Sequence, residues 1–214
     1  MRFSLKVLES STQIQQSILK SLVSILNKNF SQASQNIATR LKKMVKEAIE
    51  AEPEYQSLMS GQLRDELGIP DPGNRVNAIV NAWANNVNVN LKPVTISGSR
   101  ITGNISIGMI KEDYSDVLGL SEAIITDRST GSSIPWLYWL LLGGGDILVK
   151  DYEIKIGPSK RSRTGNAVMV KSKKDWRMPS KFVGVAGNNW VYRAISRLDS
   201  TIEQMMQSEL EKTL

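Results

Sequence analysis

The sequence contains no cysteine and no histidine among its 214 residues. The absence of cysteine excludes disulfides, thiolate metal sites, thioether-linked haem and cysteine nucleophiles. The absence of histidine removes the commonest transition-metal ligand and the usual general base near neutral pH, which argues against serine triads and zinc hydrolases. We therefore expect no enzymatic activity, no metal and no cofactor.

Long apolar runs are missing as well. The longest, from Ile134 to Leu142, has nine residues, whereas a membrane-spanning helix needs ~20. The start of the chain contains Arg2 and Lys6 but no continuous apolar stretch of the ~7–15 residues typical of a signal peptide. The sequence predicts a soluble protein that is made and kept in a reducing compartment and has no membrane partner.

The formal net charge of +6 is distributed in blocks. Residues 1–50 carry +5, residues 51–152 carry −5, residues 153–181 carry +7 and residues 182–214 carry −1. Blocks of opposite sign suit a chain whose copies meet head to tail, or one that presents a basic face to phosphates. Solvated faces of unrelated sign are the third interpretation.

Apolar residues recur every three or four positions from residue 10 to Pro53, which predicts one amphipathic helix of roughly forty residues. Ser10 and Gln13 form a capping-box pattern at its start. Such a helix is roughly 60 Å long, so its apolar stripe needs a partner, either the chain's later helices or neighbouring subunits. Polar residues near position 29 also permit a break in its middle. The stripe consists of Ile14, Ile18, Leu22, Leu26, Phe30, Ala33, Ile37, Leu41, Val45 and Ala48.

Three further helices are indicated by their boundary residues. A short helix is predicted over residues 53–67 with Gly68 as its stop, and another begins at Asp71-Pro72. The last is a strongly amphipathic helix near the end of the chain, capped by Asn188 or Asn189.

Alternating apolar residues predict a β-hairpin over residues 87–109 and strands over residues 147–156 and 167–170. The predicted fold class is α+β, with a long N-terminal helix and a C-terminal amphipathic helix packed on a small, mainly antiparallel sheet. We expect a helical region over residues 1–85 and a sheet with the C-terminal helix over residues 86–214, together forming one compact unit.

Two short motifs could bind a ligand in principle. The segment Gly143–Asp146 has the glycines of a phosphate cradle, but it lacks the spaced second glycine with Lys and Ser/Thr, so a tight turn is the better interpretation. Glu112, Asp113 and Asp116 could share a cation, but they lack the spacing of a calcium loop and are better explained as caps of the turn that follows.

The strongest electrostatic feature is a basic segment over residues 155–181. Phosphate contact, docking on the acidic block of a neighbouring copy and a solvated loop all remain open for it. Sparse aromatic residues argue against a stacking platform for single-stranded nucleic acid. Its basic residues, which are candidates for an interface or for a DNA-facing surface, are Lys155, Lys160, Arg161, Arg163, Lys171, Lys173, Lys174, Arg177 and Lys181.

Large aromatic side chains are concentrated in the last eighty residues or so. We expect them to form the core between the sheet and the last helix, with some serving as interface anchors. The candidates for packing or interface roles are Trp136, Trp139, Trp176, Phe182 and Trp190.

From residue 134 onward the chain presents an ordered series of features: an apolar helix ending in glycines, a strand, a Ser-Arg-Thr-Gly turn, a Trp-Arg-Met-Pro segment and an aromatic start to the last helix. They correspond to Pro135–Gly145, Ser162–Gly165, Trp176–Pro179, Phe182 and Asn189–Ile195. With the long first helix and the segment Leu63–Gly68, this order resembles the neck or tail-completion (minor tail, head-to-tail joining) proteins of long-tailed bacteriophages.

The resemblance implies a non-enzymatic virion protein that forms a homo-oligomeric ring in the neck. Such a ring joins the DNA-filled head to the tail and completes the DNA channel. The implied partners are copies of the chain itself, neighbouring head-closure or connector proteins, tail proteins and, without sequence specificity, the passing DNA. The implied location is the virion, and the host cytoplasm during assembly. The alternative is a sequence-independent DNA-binding protein that uses residues 155–181.

Overall fold

The computed structural model describes residues 8–98, 100–111, 113–126 and 131–213. The first helix, α1 (Ser11–Glu50), is continuous over 40 residues, so no break occurs near residue 29. The predicted capping box is confirmed, because the Ser10 amide donates to Gln13 Oε1 over 2.8 Å and the Gln13 amide donates to Ser10 Oγ over 3.3 Å.

The described residues fall into two compact units. The first unit contains the residues up to Arg40, the segment Asn88–Gly108 and the residues from Glu203 onward. The second contains Leu41–Val87 and Met109–Ile202. Each unit therefore contains residues from both predicted regions, 1–85 and 86–214.

The first unit places a β-hairpin beside α1. Strands β1 (Asn88–Ser97) and β2 (Arg100–Gly108) are antiparallel, as predicted, with Val89 opposite Ile107. The register shifts between Lys92 and Thr95, which is a β-bulge at Pro93-Val94. Proline has no amide hydrogen to donate to a ladder, so an irregularity at this position is expected.

The helices at the start of the second unit correct one prediction. Residues 53–67 form two helices, α2 (Pro53–Ser60) and α3 (Gln62–Leu67), which are followed by α4 (Pro72–Asn86). The single predicted helix is wrong because Gly61 is extended, with φ −119° and ψ −156°, and the Leu63 amide donates to Ser57 Oγ over 3.0 Å. Gly68 ends α3 in the left-handed conformation, as predicted.

The rest of the second unit consists of short elements. In chain order they are α5 (Ser115–Leu118), β3 (Ile125–Thr126), β4 (Ser133–Ile134), α6 (Trp136–Leu141), β5 (Tyr152–Ile156), β6 (Ala167–Lys171) and α7 (Trp190–Ser196), with 3-10 turns at Ser121–Ala123 and Ser180–Phe182. The final helix, α8 (Asp199–Glu211), begins in this unit and continues into the first.

The α+β fold class is confirmed, and in the described residues the antiparallel β-structure is divided among three two-stranded sheets, β1–β2, β3–β4 and β5–β6. Strand β5 begins later than predicted because Asp151 has a φ of +57°. The predicted C-terminal helix is present, but it is interrupted after Ser196 and so consists of α7 and α8. Asn189 caps α7 by accepting the Tyr192 amide over 3.0 Å.

Candidate interaction surfaces

The apolar stripe of α1 is buried at one end and exposed at the other. Within the first unit, Ala33 and Ile37 are fully buried, whereas Ile18 is 61% exposed and Ile25, which lies next to the predicted stripe, is 57% exposed. Ile14 and Leu22 belong to the same stripe and are 37% and 41% exposed. We call these four residues the exposed stripe. A contiguous apolar face of this kind is typical of a protein–protein contact.

All nine candidate basic residues are exposed, and the β5–β6 hairpin separates most of them into two groups. The first group, the loop end, surrounds the connection between the strands and carries Lys155, Lys160, Arg161 and Arg163. The second group, the lysine end, follows β6 and carries Lys171, Lys173, Lys174 and Arg177. Lys181 lies apart, on the Ser180–Phe182 turn, with its Nζ 4.6 Å from the centre of the Phe182 ring.

Hydrogen bonds shape the loop end. The Gly157 amide donates to the Asn166 carbonyl over 2.7 Å, and the Ser159 amide donates to the Gly165 carbonyl over 3.0 Å. Gly165 has a φ of +85°, which favours glycine. The Ala167 amide closes the loop by donating to Ser162 Oγ over 3.2 Å. The loop between β5 and β6 therefore has a defined backbone.

The two groups of basic residues differ in their neighbours. At the lysine end, Lys174 pairs with Glu153 over 3.1 Å, and Arg177 donates to the Gly145 carbonyl. At the loop end, the guanidinium of Arg163 lies 3.2 Å from the point where a Cβ on Gly68 would stand, so Arg163 packs against the end of α3.

Some carboxylates of residues 51–152, the acidic block, form ion pairs within the second unit. Glu52 and Glu54 are only 3% and 2% exposed. Glu54 pairs with Arg193 over 2.5 Å, and Glu52 pairs with Arg197. The formal charge of residues 51–152 therefore overstates the negative charge that this block presents at its surface.

The acidic residues considered as cation ligands have other roles. The Ser115 amide donates to Asp113 Oδ1 over 3.0 Å, and this hydrogen bond is the main cause that lowers the pKa of Asp113. The capping role expected for Asp113 is thus confirmed, and Asp116 Oδ2 accepts from Asn86 over 2.7 Å. Glu112 lies outside the described residues. Across the described ranges, no group of three acidic side chains could hold a metal ion.

The aromatic candidates are mostly core residues of the second unit. Trp136, Trp176, Phe182 and Trp190 are buried, and Trp139 is half-buried. Trp190 packs edge-on against Trp83 of α4 at a ring distance of 5.7 Å, and Trp139 packs against Trp176 at 6.1 Å. The packing interpretation therefore accounts for the buried four.

A groove of about 670 Å³ lies between α3 and the β5–β6 hairpin. Apolar side chains including Trp139, Ile154 and Met169 line it, and Glu66 and Arg161 also contribute to its surface. No local sequence pattern marks this groove, because its walls come from segments far apart in the chain.

No protein-family model matches this chain, and neither a curated protein nor a solved structure matches it. Among the helices of the described residues, none combines the length and apolar character required to cross a membrane.

Proposed function

We propose that the protein is a structural, non-enzymatic component of the neck of a long-tailed bacteriophage. In this proposal, copies of the chain assemble into a ring that joins the DNA-filled head to the tail and completes the DNA channel. The ring contacts head-closure or connector proteins on one side and tail proteins on the other. Its location is the virion, after assembly in the host cytoplasm.

The observation that carries the proposal is the exposed stripe of α1. Four exposed aliphatic side chains, Ile14, Ile18, Leu22 and Ile25, precede Ala33 and Ile37 on the same helix, and these two are fully buried. At about 25 cal/mol per Å² of buried apolar surface, covering them by another chain is favourable. In the proposed ring this cover is a second copy of the chain.

Two further features support the ring. The order of motifs from Pro135 to Ile195 resembles that of neck and tail-completion proteins. A ring also requires heterologous contacts, in which two different patches of each subunit meet. The exposed stripe and the groove beside α3 are different apolar surfaces on one chain, as such a contact demands.

Negative-stain microscopy and light scattering test the proposal, using the purified chain alone and mixed with purified candidate head-closure and tail proteins. We expect closed rings from the wild-type chain when its neighbours are present. The variant Ile18→Glu/Ile25→Glu should keep its helical circular dichroism but form no rings, because it places charges in the apolar contact.

The matched control is Gln16→Glu/Ser24→Glu, which adds the same charge to α1 at exposed positions outside the stripe. The control should assemble as the wild type does. Rings formed by the stripe variant, or a wild-type chain that stays monomeric with every candidate neighbour, would contradict the proposal.

A further inference from the structure

The acidic residues close to the loop end of the β5–β6 hairpin have other partners. Glu153 pairs with Lys174. Asp65 and Glu66 line the groove that Arg161 also lines. In that groove Asp65 pairs with Arg64 over 2.8 Å, and Glu66 accepts from Gln62 over 2.5 Å.

No aspartate or glutamate occurs from Ile154 to Lys174. Lys155, Lys160 and Arg161 are exposed. Among the side chains that the structure describes, none of these three residues forms an ion pair.

The lysine end is different although its basic residues are as numerous. Asp175 lies within it in the sequence, and the hairpin register places Asp151 and Glu153 beside it, opposite the end of β6. Lys174 already pairs with Glu153, and Asp175 Oδ1 accepts the Asp151 amide over 3.1 Å. A polyanion approaching this end meets carboxylates as well as ammonium groups.

The two ends are also far enough apart to act separately. Tyr152 pairs with Lys171 at one end of the hairpin, and Ile156 pairs with Ala167 at the other. Four strand steps at ~3.4 Å separate these pairs by roughly 14 Å. This separation exceeds the Debye length of about 8 Å at physiological ionic strength.

The loop end presents its charges on a prearranged backbone. Hydrogen bonds close the loop between Gly157 and Asn166, and Arg163 packs against the end of α3. Less conformational freedom is lost when a partner binds such a loop. Residues 157–166 include no aromatic side chain, so the loop suits backbone phosphates better than stacked bases.

We infer that Lys155, Lys160 and Arg161 form a contact surface for the backbone phosphates of duplex DNA. This surface binds DNA without sequence preference. The inference rests on the proposed function for the source of the DNA, which is the duplex that passes through the ring. Docking of the same loop on a neighbouring subunit is the competing interpretation. It is less favoured because Glu52 and Glu54 of the acidic block are buried and paired.

The test is a salt titration of binding to two 30-base-pair duplexes of unrelated sequence, followed by fluorescence anisotropy. The loop variant Lys160→Gln/Arg161→Gln is compared with the control Lys173→Gln/Lys174→Gln, which removes the same charge at the lysine end. The logarithm of the binding constant changes by about 0.9 per phosphate contact for each decade of salt.

We expect the wild type to bind both duplexes equally. For the loop variant, the slope of the logarithm of the binding constant against the logarithm of the salt concentration should be smaller in magnitude by about 1.8. The ratio of its affinities at 50 and 200 mM salt should then be about twelvefold smaller than the wild-type ratio, with little change in the control. Equal weakening in both variants, or no wild-type binding at 50 mM salt, would overturn the inference.

Ring formation is measured in parallel. The loop variant should assemble as the wild type does, and loss of assembly with unchanged DNA binding would establish docking instead. Because the titration uses the isolated chain, its result can be read even if no ring forms, so failure of the proposed function is distinguishable from failure of this inference.

Discussion

The side-chain amide of Asn27 in α1 pairs in both directions with the backbone of Val94 in β1. Asn27 Nδ2 donates to the Val94 carbonyl over 3.0 Å, and the Val94 amide donates to Asn27 Oδ1 over 2.6 Å. Val94 is buried and lies at the bulge where the β1–β2 ladder is interrupted. A helix side chain thus satisfies the two polar groups that the neighbouring strand leaves unpaired.

Replacing Asn27 by alanine should therefore destabilise the chain. Both backbone groups of Val94 would lose their partner in a buried position, which costs about 1–3 kcal/mol in the free energy of unfolding. Urea unfolding followed by circular dichroism measures this loss. Gln32→Ala, at an exposed position of the same helix, is the control and should stay within about 0.5 kcal/mol of the wild type. An Asn27→Ala variant as stable as this control would contradict the assigned role.

The free chain should show unequal hydrogen exchange along α1. Amides of residues 14–25, which lie beside exposed aliphatic side chains, should exchange at least about tenfold faster than those of residues 33–49, because local opening there exposes little buried surface. We also expect residues 12–50 as a whole to be less protected than residues 190–210. Assembly should slow exchange at residues 14–25. Uniform protection along α1 in the free monomer would be inconsistent with an uncovered stripe.

Local signals explain the parts of the fold that could be predicted. The length of α1, its capping box at Ser10 and Gln13, the stop at Gly68 and the cap at Asn189 depend on residues a few positions apart. The β1–β2 hairpin follows from its alternating pattern. Such features need no knowledge of what the rest of the chain does.

The features that escaped prediction depend on residues distant in sequence. Glu54 meets Arg193 across 139 positions, and Asn27 meets Val94 across 67. The polar residues near position 29 permit a helix break on sequence grounds, whereas the side-chain amide of Asn27 satisfies the backbone of a strand. The division between α7 and α8 has no glycine or proline to mark it. The unequal surroundings of the nine basic residues likewise depend on the β5–β6 register, which brings residues of the two strands together.

Gly184 and Gly73 should respond in opposite directions to the same substitution. A Cβ on Gly184 would stand 2.5 Å from the Leu140 carbonyl oxygen and 2.6 Å from Asn189 Cβ. Neither atom is the end of a flexible side chain, so Gly184→Ala should lower the free energy of unfolding by about 1–3 kcal/mol. Gly73, in the first turn of α4, has space for a Cβ, and Gly73→Ala should gain about 0.4–1 kcal/mol. Thermal unfolding of the two variants compares them, and a Gly184→Ala chain as stable as the wild type would contradict the packing described at Gly184.

Glu209 should make the stability of the chain sensitive to acid. It is buried in the first unit, where Lys212 Nζ lies 2.8 Å and Arg40 Nη1 lies 2.5 Å from its Oε1. The hydrogen bond from Lys212, followed by that from Arg40, holds its pKa below the usual 4.5. Above that value the carboxylate is ionised in both the folded and the unfolded chain, and its stabilising contribution is fully present.

As the pH falls below 4.5, the unfolded chain takes up the proton first, so the contribution of Glu209 is lost progressively until the pH passes the lowered pKa. Glu209→Gln should therefore be less stable than the wild type at pH 6 and should lose less stability between pH 6 and pH 3. Urea unfolding across this range gives the difference. The pKa values of Asp113 and Glu122 are also lowered, by hydrogen bonds from Ser115 and Ser121 respectively, but both residues are present in both proteins. Their contributions cancel in the difference, so parallel pH profiles for the wild type and the variant would show that Glu209 does not carry this dependence.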